Sequence, residues 1–165
     1  MNKIVCLLLS FVLVFGLVAC GPKDDFENLA DGEYILYYTD AKASAVTSYI
    51  YKSEKTDTLE IVKELIDSMK NISAEGAVSV LPEKMTFGHA DINEGILYVY
   101  FSGGASSFTN ASRLVFVSSI TKALSSLKEI EGVQIYDDEG IMKDSNGDAY
   151  DVLRPENFVS LETNK

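Results

Sequence analysis

The sequence predicts an α+β fold, in which a small mixed sheet carries two helices packed on one face. Two segments repeat apolar residues every three or four positions, which is the period of an amphipathic helix. Five shorter segments are rich in aromatic and β-branched residues, as strands are. Strand pairs alternate with the helices along the chain, in the order β-β-α-β-β-α-β. Elements with one apolar face each are buried by packing helices against a sheet.

The first half of the domain is predicted to form two strands and a helix. The strands are Glu33 to Tyr38 and Ala45 to Tyr51, both rich in aromatic or β-branched residues. The helix is expected to be capped by Asp57 or Thr58, residue types that accept the first free backbone N–H groups, and to run to about Lys70. Its apolar stripe consists of Leu59, Val62, Ile66 and Met69, widened by Leu65.

The next segment predicts a hairpin. Gly76 to Pro82 is expected to be a connection, followed by an extended stretch from Met85 to Ile92. Asn93-Glu94-Gly95 has the composition of a tight turn. Ile96 to Phe101 then forms the strongest predicted strand of the protein.

The last part of the domain is predicted to add one helix and one strand. The helix runs from about Thr109 to Leu127, and Val133 to Tyr136 forms the strand. The turn Asp137-Asp138-Glu139-Gly140 reverses the chain. The polar remainder is expected to hold at most a short strand at Ala149 to Leu153, and a loose end follows. The apolar face of the helix consists of Val117, Ile120, Leu124 and Leu127.

The N-terminus predicts a bacterial lipoprotein. Lys3 precedes an apolar run from Ile4 to Ala19, about 16 residues long, which is shorter than the roughly 20 residues of a spanning helix. The run ends in Leu17-Val18-Ala19 directly before Cys20, the pattern of a lipobox. We therefore expect residues 1–19 to be a signal peptide and the Cys20 thiol to carry a diacylglyceryl group. An uncleaved anchor and a plain secretory peptide are the alternatives.

The domain organisation follows from this anchor. Residues 20–32 are predicted to be the lipidated cysteine and a flexible tether, because Gly21 to Gly32 is polar and has no apolar period. Residues 33–165 are predicted to form a single domain with a polar C-terminal tail. We expect the protein to be held on the extracytoplasmic face of the cell membrane, with partners limited to its neighbours there.

Composition excludes several classes of function. The formal net charge is -11, and the sequence pI is near 4.4, which argues against nucleic acid and against docking on anionic lipid. The only cysteines are Cys6, which leaves with the leader, and Cys20. The mature domain is therefore expected to have no disulfide, no catalytic thiol and no cysteine-bound metal.

Three parts of the sequence are candidates for chemistry. His89 is the only histidine, and no Gly-x-Ser-x-Gly motif presents a serine to it, so catalysis is not expected. Asp144 to Asp151 offers oxygen ligands, but its spacing fails the calcium-loop pattern, and a solvated turn is the simpler interpretation. Ser102 to Ser107 lacks the lysine of a phosphate-binding loop and is expected to be a flexible connection. We therefore predict no enzyme activity, no metal and no cofactor.

The tyrosines predict a binding surface. They put aromatic rings on both faces of several strands, and a helix layer covers only one face of a sheet. Some rings should therefore be exposed or covered by a partner. Tyr37, Tyr49 and Tyr98 represent this hypothesis, and ordinary edge or rim positions are the alternative. The tyrosines concerned are Tyr34, Tyr37, Tyr38, Tyr49, Tyr51, Tyr98 and Tyr100.

The order of these motifs resembles the GerMN domain, the sporulation and spore germination family. The resemblance covers about Tyr34 to Gly140. It is carried by Tyr37-Tyr38, the helix from Leu59 to Met69, Val80-Leu81-Pro82-Glu83 before Met85, Asn93-Glu94-Gly95-Ile96-Leu97-Tyr98-Val99, and Leu114 to Leu127 followed by Gly132-Val133-Gln134-Ile135-Tyr136 and Gly140.

The resemblance implies a fold like the ring-building motifs of exported complexes, with no catalytic residues to transfer. It implies a non-catalytic module for protein interaction or assembly in the cell envelope, connected with sporulation, germination or wall metabolism. The expected partners are the membrane, through the lipid, and an envelope protein or a second copy of the chain. A solute- or cell-wall-binding lipoprotein is the alternative.

Overall fold

A computed structural model describes residues 29–42 and 45–158. Within them lie seven strands and two α-helices, joined in places by single turns of 3-10 helix at Ala105–Ser107 and Pro155–Asn157. The leader, Cys20 and the predicted tail after Phe158 fall outside these residues. The elements are β1 (Glu33–Asp40), β2 (Val46–Lys52), α1 (Thr58–Lys70), β3 (Ala77–Ser79), β4 (Thr86–Asn93), β5 (Ile96–Ser102), α2 (Asn110–Leu124), β6 (Gly132–Asp137) and β7 (Gly140–Ile141).

The α+β class and the two helices are confirmed, and the strands are divided between two sheets. One sheet has the order β2-β1-β3 and the other β4-β5-β6-β7. β1 pairs antiparallel with both of its neighbours, so no edge of β1 is left for the second hairpin. The segment Gly76 to Pro82, expected to be only a connection, contains the three residues of β3.

The four-stranded sheet is mixed. β4 and β5 form the predicted hairpin, whose turn places Glu94 at φ 51° and Gly95 at φ 78°, the left-handed conformation of a two-residue hairpin turn. β5 and β6 run parallel, because α2 returns the chain to the end of the sheet at which β5 begins. β7 pairs with the end of β6 through only two residues.

Helix α1 begins where the sequence indicates. The Asp57 carboxylate accepts a hydrogen bond from the Glu60 backbone N–H at 2.9 Å, which caps the first turn. Leu59 was expected in the apolar stripe but is 40% exposed, and Ile61 takes its place in the core. The stripe therefore begins two residues later than predicted.

Helix α2 is buried on most sides. Thr109 and Ser112 form a reciprocal capping box at its start. It lies against both β1 and β6, so it packs on both sheets rather than on one face of a single sheet. Even its Ser118, Ser119 and Thr121 are buried. A helix surrounded by protein needs no polar face, which explains why its apolar pattern is broad.

The end of α2 and the C-terminal segment differ from the prediction. The helix ends at Leu124 rather than Leu127, because the N–H groups of Ser126 and Leu127 bond three residues back and tighten the chain into turns. Leu127 is still buried. The strand expected at Ala149 to Leu153 is reduced to two isolated bridges, one of them between Leu153 and Val133.

The buried side chains form one hydrophobic cluster between the helices and the two sheets. The cluster contains buried residues of α1, α2, β1, β5 and β6. Most of the apolar residues of β2 and β4 are partly buried and pack against it. None of the helices in the described part of the chain is long and apolar enough to cross a bilayer.

Candidate functional site

The outer face of the four-stranded sheet collects aromatic and polar side chains. Along β5, Leu97, Val99 and Phe101 are buried, and the alternating Tyr98 and Tyr100 are only partly buried on the opposite face. Strand pairing brings four further side chains beside them on that face. We call this surface the tyrosine face; it consists of His89, Asp91, Tyr98, Tyr100, Gln134 and Tyr136.

The rings of the tyrosine face are ordered by the strands that carry them. His89 stacks on Tyr100 with ring centroids 4.2 Å apart and planes 6° apart. Tyr100 stacks in turn on Tyr136 at 4.7 Å and 23°. These distances match the spacing of about 4.8 Å between neighbouring strands, so the rings stand side by side across the sheet. Their faces contact one another, and their edges and polar atoms are left to meet a partner.

The position of His89 results from a bulge. The pairing of β4 with β5 shifts between Phe87 and His89, so that His89 lies directly opposite Tyr100. Gly88 fits at the bulge because an added Cβ would lie 3.2 Å from the Tyr100 carbonyl oxygen. The bulge therefore aligns the only imidazole of the chain with the row of tyrosine rings.

Two pairs of polar side chains lie close together on the face. His89 Nε2 lies 3.6 Å from Asp91 Oδ2, and their side chains are 62% and 66% exposed. The Tyr136 hydroxyl donates to Gln134 Oε1 at 3.2 Å. Burial raises the pKa of the Tyr100 hydroxyl, and the neighbouring Tyr136 and Asp91 raise it further. Tyr100 therefore stays protonated well above neutral pH.

The tyrosines of the three-stranded sheet form no stacked row of this kind in the described chain, although Tyr38, Tyr49 and Tyr51 line one pocket beside the end of α1. Tyr37 was expected to be exposed but is only 4% exposed, because β1 is the central strand and both of its faces are covered. Tyr49 is half-buried, with its ring 5.9 Å from that of Tyr38. The Tyr51 hydroxyl donates to Glu64 Oε1 of α1 at 2.8 Å. Of the three representative tyrosines, only Tyr98 lies on the tyrosine face.

The two other candidate segments serve the structure. Asp144 Oδ1 accepts backbone N–H groups from Asn146 at 2.8 Å and Asp148 at 3.0 Å, which lowers the pKa of its carboxyl and closes a turn. Over the described ranges, no group of three or more acidic, histidine or cysteine residues is arranged to hold a metal ion. The Ser102–Ser107 connection is tightly packed, since a Cβ on Gly104 would lie 2.8 Å from the Met85 backbone nitrogen.

Sequence reasoning missed two rings of the tyrosine face, those of His89 and Tyr136. The sequence indicates only that His89 lies in the extended stretch Met85 to Ile92 and that Tyr136 ends the strand Val133 to Tyr136. The alternation of buried and exposed residues in β5 places Tyr98 and Tyr100 together. Only the parallel pairing of β5 with β6, and the bulge in β4, bring the other two rings to them.

The chain is similar to solved structures from Bacillus subtilis and Clostridium perfringens. The fold matches the first GerMN domain of the sporulation protein GerM from Bacillus subtilis, with a TM-score of 0.61, 19% identity, and coverage of 75% of this chain and 98% of that domain. A crystal structure from Clostridium perfringens, provisionally named a lipoprotein, matches with a TM-score of 0.52, 18% identity, and coverage of 84% and 100%. No curated protein matches the sequence significantly.

The structural likeness is low in identity and shows the fold alone. The family model named Germane and described as sporulation and spore germination matches residues 35–139, from β1 to the turn before β7. That range includes both helices, both long hairpins and every residue of the tyrosine face. The chain therefore belongs to the sporulation and spore germination family, whose domain is the GerMN domain.

Proposed function

We propose that this protein is a lipid-anchored envelope protein whose GerMN domain binds another envelope protein and does not catalyse a reaction. The observation that carries the proposal is the tyrosine face. It is an ordered set of aromatic and polar side chains on the solvent side of a sheet whose other side packs on the core. Tyrosine supplies both apolar area and a polar atom, and it is enriched at protein interfaces.

In this proposal, the membrane anchor is a lipid on Cys20. The described chain begins at Leu29, and nine residues extend to roughly 30 Å at most, at about 3.3–3.6 Å per residue. The domain would therefore stay within that distance of the bilayer and meet proteins at the membrane surface. Cys20→Ala should release the domain into the medium or leave an uncleaved precursor. Lipid labelling that persists in this variant would contradict the assignment.

The non-catalytic part of the proposal is supported by the surroundings of His89. Its ring is stacked on Tyr100, and its Nε2 faces the Asp91 carboxylate rather than a hydroxyl that it could activate. The arrangement holds the imidazole in a surface suited to contact.

Crosslinking in native membranes tests the binding role. A photoactivatable side chain would replace Tyr98 on the tyrosine face and, as a matched control, the 40%-exposed Leu59 on α1. We expect Tyr98 to crosslink to one envelope protein in growing cells, in sporulating cells or in both, and Leu59 to give no such product. Recovery of cell-wall fragments alone from Tyr98 would favour the alternative of a wall-binding lipoprotein.

A further inference from the structure

The four-stranded sheet lacks basic residues. Its two segments, Thr86–Ser102 and Gly132–Ile141, contain no lysine or arginine, although the whole chain has 14. The same segments contain five carboxylates. His89 is therefore the only side chain of these strands and turns that can become positive. The carboxylates are those of Asp91, Glu94, Asp137, Asp138 and Glu139.

Asp91 is the carboxylate placed to meet a partner on the tyrosine face. It lies directly opposite Tyr98 in the sheet and is 66% exposed, with His89 as its neighbour. Two other carboxylates of these segments already accept backbone hydrogen bonds: Asp137 accepts from the Glu139 N–H at 2.8 Å and Asp138 from the Gly103 N–H at 2.7 Å. Asp91 thus offers acceptor oxygens beside a row of rings.

We infer that the tyrosine face binds an arginine-bearing segment of its envelope partner. Guanidinium is planar, donates five hydrogen bonds and pairs with carboxylates through two of them. Asp91 would accept two of these hydrogen bonds, and the tyrosine hydroxyl oxygens at the edges of the stacked rings would accept others. Because the mature chain is acidic overall, long-range attraction would also speed the encounter with a basic partner.

The same features disfavour other ligands. Nucleic acid and anionic lipid present phosphates, which this acidic surface repels. A sugar ring stacks on an aromatic ring that lies open to it, whereas the rings of His89, Tyr100 and Tyr136 cover one another. The inference rests on the proposed binding function and narrows it to one partner chemistry.

The test uses the mature lipidated chain in phosphatidylcholine nanodiscs, which carry no net charge. The probe is a fluorescent peptide of alternating arginine and threonine, and its twin replaces each arginine with citrulline, which keeps the shape and removes the charge. We expect the citrulline peptide to bind at least ten times more weakly. Asp91→Asn should weaken binding of the arginine peptide about fivefold, and added salt should weaken it further.

The control variant is Glu75→Gln, which removes one exposed carboxylate in the loop after α1 and changes the net charge by the same amount. It should leave binding unchanged. Equal weakening by both variants would show attraction to overall charge only and would overturn the site. Equal binding of the two peptides, or displacement of the arginine peptide by uncharged wall sugars, would overturn the arginine assignment. Both readouts are independent of the anchoring and crosslinking tests above.

Discussion

The edge strand β2 allows a direct test of the pairing in the three-stranded sheet, because the register shows which of its backbone N–H groups point to β1 and which point away. The Asp40 N–H bonds to Ala45 O at 3.3 Å and the Ser53 N–H to Gly32 O at 2.9 Å, so both are hydrogen-bonded pairs. Such pairs alternate along an antiparallel ladder. The regular register then makes the Thr47 N–H point to β1 and the Ser48 N–H point away from the sheet.

Proline substitution at these two neighbours should therefore have very different effects. Thr47→Pro removes a ladder hydrogen bond and leaves the Tyr38 carbonyl unpaired, which should cost about 2–3 kcal/mol of unfolding free energy. At roughly 3 °C per kcal/mol, Tm should fall by about 6–9 °C. Ser48→Pro removes an N–H that bonds nothing in the described sheet and should cost less than about 1 kcal/mol.

Urea unfolding of the two variants measures the difference. Native-state hydrogen exchange gives an independent readout, since the amides of Thr47, Tyr49 and Tyr51 should be protected and those of Ser48 and Ile50 should exchange rapidly. Equal destabilisation by the two prolines, or protection of all five amides, would refute the derivation. It would mean that another strand occupies the outer edge of β2.

Three further substitutions test the core, the acid response and a tight turn. Thr121→Val should raise the free energy of unfolding by about 1 kcal/mol, because the buried Thr121 hydroxyl has no hydrogen-bond partner among the described residues. Ser118→Ala should not stabilise the protein, because it removes the hydrogen bond from the Ser118 hydroxyl to the Val115 carbonyl. Hydroxyl donors lower the pKa of Glu64 below its ordinary 4.5, so its stabilisation is lost as pH falls through the lowered value. Glu64→Gln should make the acid limb of a pH–stability curve shallower, and an unchanged limb would contradict this. Gly104 has φ 75°, and an added Cβ there would clash with the Met85 backbone, so Gly104→Ala should lower the free energy of unfolding by more than about 2 kcal/mol. Gly147 has φ 91° but open space around it, so Gly147→Ala should cost only about 1 kcal/mol. Equal losses of stability in thermal unfolding would contradict the close contact between Gly104 and Met85.

Local patterns predicted the elements whose signals lie within a few residues of one another. Helix α1 follows from the period of its apolar residues and from the Asp57 cap, and the structure places it at Thr58–Lys70. The β4–β5 turn follows from Asn93-Glu94-Gly95, where the glycine adopts the positive φ that the turn requires. In both cases the residues that decide the structure are neighbours in sequence.

The misses have non-local causes. β3 has only three residues, and its pairing with β1 joins segments almost forty positions apart. Tyr37 is expected to be exposed if helices cover only one face of the sheet, but β1 is the central strand and both helices lie against it. The tyrosine face likewise depends on β5 and β6 lying side by side across the length of α2. No pattern within one segment carries that information.

The burial of α2 also determines how the protein can respond to a partner. The helix packs on both β1 and β6 and contributes Phe116, Val117 and Ile120 to the single core. Moving either sheet would therefore separate packed side chains on both sides of the helix at once. We expect the slowest amide exchange of the protein in α2. We therefore expect the tyrosine face to be rigid and to keep the same geometry before and after binding. We do not expect binding there to cause a conformational change elsewhere in the domain.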